Sequence, residues 1–295
     1  MSASTNPEHC GAQCGACPLG PEGPLRKDDW RPVGGEFHRG AEVIAIAESP
    51  GPDEAQRGRP LVGRSGGEWN NALTTAGRKR IDVDLDHVIS CKLPGQSSGA
   101  LRRMEKSLDK LNKTRVKQGE EPYPHPATCC RPRLINVVAK YKKIITLGKT
   151  ATSALTGQTS SIHSTRGGPM QIDSDWNWVT ERGSRKLLST LHPEFILRSP
   201  NWRHVLQSDL AKAFRWFNGT LRWTKPDSLI NPTPDELDEW LSQPAPFWAY
   251  DVETDGIEPL ECKLRTIAIA IPDLDHSGHA SRGPVSQNSR AVGIG

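Results

Sequence analysis

VIAIAESPGPDEAQRGRPLVGRSGGEW, residues 43–69, is the stretch from which the fold is read. Val43 to Ala47 is an unbroken apolar run of strand length, the pattern of a short buried strand. It breaks at Glu48-Ser49-Pro50-Gly51. A strand that stops in this way exposes the next backbone N–H groups at the carboxyl end of a sheet, where α/β folds place ligands. Gly58, Gly63, Gly66 and Gly67 follow, with Pro60 and the apolar pair Leu61-Val62 among them. The prolines stiffen this loop, and the glycines let a ligand approach its backbone. On its own such a loop is equally a plain surface connection.

Working outward, the 295 residues suffice for a full core and a second, smaller unit. Charged residues make up 24% of the chain and the net charge is +4, an excess of base that permits nucleic-acid binding without demonstrating it. Nothing reads as a signal peptide and no apolar run approaches a membrane span, so a soluble, cytoplasmic monomer is expected. The cysteine number is odd, seven, and the cysteines are clustered, which argues against a disulfide framework. Cys14-Gly15-Ala16-Cys17 is a Cys-x-x-Cys pair, and Cys91 and Cys129-Cys130 lie far along the chain. Thiolates at this spacing can share one centre, zinc or iron–sulfur, or stay unligated.

Further strands are expected at Val83–Ser90, Lys143–Leu147 and Lys186–Ser189. Helices are expected over 66–80, 130–140, 149–155 and 202–217. Residues 92–129 are polar, with Leu101, Met104, Leu108 and Leu111 on one face of an amphipathic helix; their lysines and arginines form a solvated face or contact phosphate. Trp176 and Trp178 decorate a hairpin before the last of these strands. Thr190-Leu191-His192-Pro193 follows that strand, and a His fixed by Pro can donate to an oxygen gathering negative charge.

Together these segments resemble family 4 uracil-DNA glycosylases. That family's loop reads Gly-Glu-Ala-Pro-Gly, an acidic stretch, then Gly-x-Pro-Phe-Val-Gly-x-x-Gly. Here Ala47 to Gly51, Asp53-Glu54 and Gly58 to Gly66 follow that form. Thr190 to Pro200 follows its Thr-x-His-Pro-x-x-x-Leu-Arg-x-Pro motif, and Arg166-Gly167-Gly168 its Arg-Gly turn. The resemblance implies a three-layer α/β/α domain over residues 10–220, with a mainly parallel four-stranded sheet. It implies a [4Fe–4S] cluster held by Cys14, Cys17, Cys91 and Cys130, with Cys129 able to replace Cys130 and Cys10 spare. It also implies hydrolysis of the N-glycosidic bond of uracil in DNA, single- or double-stranded, after the base is flipped out.

In that scheme Glu48 positions water or stabilises the positive sugar, and His192 hydrogen-bonds the leaving base. Gly51 donates a backbone N–H, Leu61 stands where the family's Phe stacks on uracil, and His87 stands where its Asn reads the base edge. Pro60, Gly63, Arg64 and Arg198 lie against DNA. A Leu offers no aromatic face, and an imidazole spaces its donor and acceptor differently from an amide. These two departures keep a second reading open, a binding module with no turnover or one trapped covalently on its product.

After Asn218 the composition changes. Residues 221–245 read as a Pro-rich linker with a short helix opened by Thr233-Pro234. Residues 246–295 resemble the start of a DNA polymerase I-type 3′–5′ exonuclease, a partial RNase H-like fragment. Its Asp251-Val252-Glu253-Thr254 puts two carboxylates on one strand face, which leaves a metal-dependent nuclease as a third reading. The remaining carboxylates of a two-metal site are not found, and residues 276–295 show little core pattern, so an inactive fragment is expected, its parent carrying a polymerase in cis.

Overall fold

The computed structural model describes residues 11–26, 32–95, 99–172, 185–221, 228–242, 249–256, 263–272 and 289–294. The chain divides into two compact units, Met1–Thr220 and Leu221–Gly295.

The first unit is built on a sheet of five strands: β1 (Val43–Ala47), β2 (Val83–His87), β3 (Lys143–Leu147), β4 (Pro169–Ile172) and β5 (Arg185–Thr190). Their order is β2-β1-β3-β5-β4, four parallel and β4 antiparallel on the edge. The sheet therefore has one strand more than expected. β4 forms the hairpin ahead of β5, and the two tryptophans assigned to that hairpin lie outside the described residues.

Every residue of β1 is buried, because both faces of the sheet are covered. Ile44 and Ile46 face a core shared with Met104, Leu134 and Val138. Val43, Ala45 and Ala47 face the other, with Trp69, Leu73, Leu206 and Leu210. Helices supply each layer: α3 (Ala100–Lys117), α4 (Pro126–Val138) and α5 (Lys149–Thr156) to the first, and α2 (Gly63–Thr75), α7 (Pro193–Arg198) and α8 (Arg203–Phe217) to the second. α6 (Ile162–Thr165) is a single turn. Of the expected inward positions of α8, Leu206, Leu210 and Ala213 are buried; Phe214 and Phe217 join them, while Trp216 is only partly covered.

The loop reading of 48–67 is corrected. Residues Pro52–Arg57 form a helix, α1, and α2 begins at Gly63 rather than 66. α1 has Pro at its first position, acids in its first turn and Gly58 in the left-handed conformation at its end, all standard helix signals. β2 likewise stops at His87, short of Ser90.

Several charged groups lie under this sheet. Asp86 on β2 is 1% exposed and accepts from Arg133 Nη1 of α4 at 2.5 Å. The other arm of Arg133 donates to the His87 carbonyl. Asp209 of α8 accepts a bidentate pair from Arg166 and a bond from Thr190 Oγ1 at 2.7 Å. It thereby ties α8 to the end of β5.

The second unit holds β6 (Ser228–Ile230), α9 (Pro234–Leu241), β7 (Ala249–Thr254), β8 (Leu264–Pro272) and β9 (Ser289–Ile294), with sheet order β6-β9-β8-β7. Thr233 and Glu236 form the capping box of α9. Two expectations change here. β6 lies inside the stretch read as linker, and β9 inside the stretch read as patternless; each is held by pairing to a neighbouring strand. Trp240 of α9 packs on Leu229, Leu237 and Ile269. Among the described residues no helix is long and apolar enough to cross a membrane.

Candidate active site

A parallel sheet whose order reverses about β1 opens a crevice at its carboxyl edge. A cavity of about 330 Å³ lies there. Glu48 to Pro52 line it after β1, Lys92 and Leu93 after β2, Leu147 at the end of β3 with Gly148 after it, and His192, Phe195 and Arg198 after β5. The first turn of α3, Ala100 to Arg102, closes one side, so the amphipathic helix expected in 92–129 is part of the site.

Glu48 and His192, distant in sequence, share this cavity. Glu48 Oε2 accepts from Thr150 Oγ1 of α5 at 2.5 Å, which fixes the carboxylate against the wall. His192 is the N-cap of α7, its Nδ1 accepting the Glu194 N–H at 3.1 Å. With Nδ1 an acceptor, the ring proton resides on Nε2. Desolvation holds the His192 pKa below the ordinary imidazole value, against the opposing pull of Glu54, Glu194 and Glu48. His192 is thus a neutral donor at pH 7. Gly148 reaches φ +87 beside it, and a Cβ there would lie 3.5 Å from the His192 Cβ.

Two expected base contacts lie off the cavity wall. His87 is 0% exposed and does not line the cavity. Its Nε2 lies 3.5 Å from Glu54 Oε1, the outer limit of a hydrogen bond. Leu61 is 1% exposed, within the core that contains Trp69 and Leu73, with a left-handed backbone at φ +44. The physical reason is a clamp that sequence reasoning missed. Glu54, 5% exposed, accepts from the Gly51 N–H at 2.5 Å and from the Leu61 N–H. Arg80 holds the opposite side of the loop, donating to the Leu61 carbonyl at 2.8 Å and the Pro60 carbonyl at 2.6 Å. Arg80 is itself gripped by both oxygens of Glu36 at 2.8 Å. Gly66 completes the fit: a Cβ there would sit 2.1 Å from the Leu61 carbonyl oxygen.

Burial alone would raise the Glu54 pKa, but the His87 imidazole and the two backbone donors outweigh it and hold the carboxyl below the usual range. Glu54 is therefore an ionised group under the loop, and the Gly51 N–H expected to serve the base is engaged by it. Of the expected DNA contacts, Arg198 is exposed at the cavity. Arg64 is exposed on α2, Gly63 opens that helix and Pro60 is buried in the clamp.

Five of the cysteines gather from three parts of the chain. Cys17 and Cys129 are hydrogen-bonded, and Cys91 lies within electrostatic reach of Cys130 and Cys14. Cys17, Cys129 and Cys130 are buried in the apolar core beneath α3, with Cys91 packed against it. Among the described residues no three such side chains are arranged to hold a single metal ion. An all-thiolate set in an apolar seat fits a multi-iron sulfur centre, whose ligands stand further apart than those around one ion.

The chain matches the family described as Uracil DNA glycosylase superfamily over residues 35–218. It is 29% identical over 206 residues to the Type-4 uracil-DNA glycosylase of Thermotoga maritima, covering 68% of this chain and 88% of that one. It is 28% identical over 197 residues to the Type-4 uracil-DNA glycosylase of Pyrobaculum aerophilum, covering 65% and 86%.

Proposed function

This chain belongs to the uracil-DNA glycosylase superfamily, and from that premise we propose how its own residues excise uracil from DNA. One observation carries the assignment: a carboxylate, Glu48, and a neutral imidazole donor, His192, line one cavity at the sheet's carboxyl edge. Water adds to C1′ of the deoxyribose while the bond from C1′ to uracil N1 breaks and the electron pair leaves with the base. The water proton ends on solvent or the departing base. Glu48, anchored by Thr150, faces the positive charge that grows on the sugar and orients the water. His192 donates through Nε2–H to the uracil oxygen that gathers negative charge, and a neutral imidazole does so without having to lose charge. Leu61 and His87 act from behind the wall, through Glu54, which holds the Gly51 backbone.

Cys14, Cys17, Cys91 and Cys130 hold a [4Fe–4S] cluster in this reading, with Cys129 the neighbouring thiol. The cluster supplies a structural clamp between the N-terminal turn, the loop after β2 and α4. Anaerobically purified protein should be brown; colourless, zinc-loaded protein would remove the assignment. For the enzyme itself, uracil-containing oligonucleotides are incubated with the protein and heated in alkali. Strand breaks at uracil support the reading, and none at enzyme excess overturns it. A gel shift without breaks would favour the binding module, and a detergent-stable protein–DNA band the trapped one.

For residues 221–295 the exonuclease likeness is supported by Asp251 and Glu253, two residues apart on an exposed strand. Magnesium-dependent loss of unmodified DNA would test it.

A further inference from the structure

α3 carries more than the cavity wall. Arg102, Lys106, Lys110, Lys113 and Lys117 recur at intervals of three and four residues, which at 100° per residue places all five within about 80° of arc. All five are exposed. The opposite side of the helix buries Ala100, Met104 and Leu108, so the basic row points straight outward. Among the described residues none of the five is in an ion pair. The acids nearby are Asp109, which borders the row, Glu105, half-buried at the cavity with His125 Nε2 3.7 Å away, and Glu120 and Glu121 just past Lys117, Glu120 being paired with Arg115 at 2.9 Å. The row begins at the cavity with Arg102 and runs to Lys117, about 22 Å at 1.5 Å per residue.

We propose that this outer face of α3 is a track for the phosphates of the single DNA strand that leaves the pocket, an assignment that rests on the glycosylase reading above. A single row of cations can follow one phosphate backbone, and the base flipped into the pocket belongs to that same strand. The lysines are compact point charges, suited to phosphate and blind to sequence. Their continuity with the pocket means a strand held there by its flipped base already lies at the start of the row.

The test compares wild type with the triple variant Lys110→Gln, Lys113→Gln, Lys117→Gln. All three positions are remote from the cavity lining, and Gln keeps the helix propensity. Binding of an unmodified, labelled 30-nucleotide single strand is followed by fluorescence anisotropy across a salt series. With about 0.7 counterions released per single-strand phosphate, losing three contacts should lower the log–log salt slope by about 2 and weaken binding roughly 100-fold at 0.1 M salt. Unaltered melting of the variant establishes that it is folded. A variant with wild-type slope and affinity overturns the track. So does an equal loss in the charge-matched control Lys79→Gln, Lys140→Gln, Lys142→Gln.

In excision assays the triple variant should raise KM on the long strand, leave kcat alone and leave a uracil trinucleotide untouched. If wild type excises nothing, the glycosylase reading fails, while the binding comparison still decides the track.

Discussion

Replacing Glu54 by Gln removes the charge at the centre of the clamp and leaves its shape. The wild-type carboxylate accepts from two backbone donors, Gly51 and Leu61, and faces the His87 imidazole. Hydrogen bonds to a charged group are each worth about 1.5–3 kcal/mol. Gln retains one acceptor oxygen and turns an NH₂ towards the other donor, so one such bond is lost and a buried N–H is left unmatched. The sum is a destabilisation of about 2–4 kcal/mol. In a domain of this size each kcal/mol moves Tm by about 2–4 °C, which gives a fall of roughly 8 °C.

The pH dependence follows from the sign of the shift. The folded-state pKa of Glu54 is depressed below 4.5, so its contribution is fully present above that value and is lost as pH falls through the folded pKa. The wild-type and Glu54→Gln melting curves should therefore stay separated from about pH 8 to pH 5.5 and converge in more acid solution. Differential scanning calorimetry across that range checks both statements. Equal Tm values at pH 7, or a gap that does not close in acid, would refute the clamp.

Other consequences are equally direct. His192→Ala should reduce uracil excision by about 10²–10³ in kcat, measured by alkaline strand cleavage, because one donor to the leaving oxygen is gone. Because burial lowers the His192 pKa, the acid limb of the kcat profile should fall below the ordinary imidazole value of 6.5, and that limb should vanish in His192→Gln. Arg133→Met leaves Asp86 buried and unpaired and should cost about 3–5 kcal/mol in denaturant titrations, more than the double variant that also carries Asp86→Leu. Leu61→Phe, which adds volume at a fully buried left-handed position, should destabilise by about 1–3 kcal/mol rather than strengthen base binding.

What the sequence made legible was whatever depends on period and on apolar runs. β1 is a continuous apolar segment, β3 and β5 are built round the apolar or β-branched stretches 144–147 and Leu187-Leu188, and α8 shows its stripe over four turns. α1 escaped because six residues are too few for a helical period, although Pro52, Asp53, Glu54 and Gly58 each carry their usual positional meaning. β4 escaped because its place depends on one partner, β5, and not on its own composition. Glu48 and His192 were singled out through the family resemblance, and each stands just beyond the end of a strand.

Glu54 and Arg80 were missed because an acid among glycines and an Arg in the run Arg78-Lys79-Arg80 both read as solvent-facing. Only the convergence of Gly51, Leu61, Pro60 and Glu36 on them shows otherwise. Leu61 illustrates the limit from the other side. Its apolar character was read correctly, but whether it faces a ligand or the core is decided by φ +44 and by the two groups that enforce it.

The strand order has a consequence for how the protein is made. β4 leaves the ribosome before β5 yet can pair with nothing else, and His192 follows directly on β5. Until that late segment emerges and inserts beside β3, the growing chain has Glu48 without its histidine and an open sheet edge. Such long-range parallel pairing is slow. The pocket therefore gains its histidine, and the sheet its closed edge, only when β5 inserts between β3 and β4.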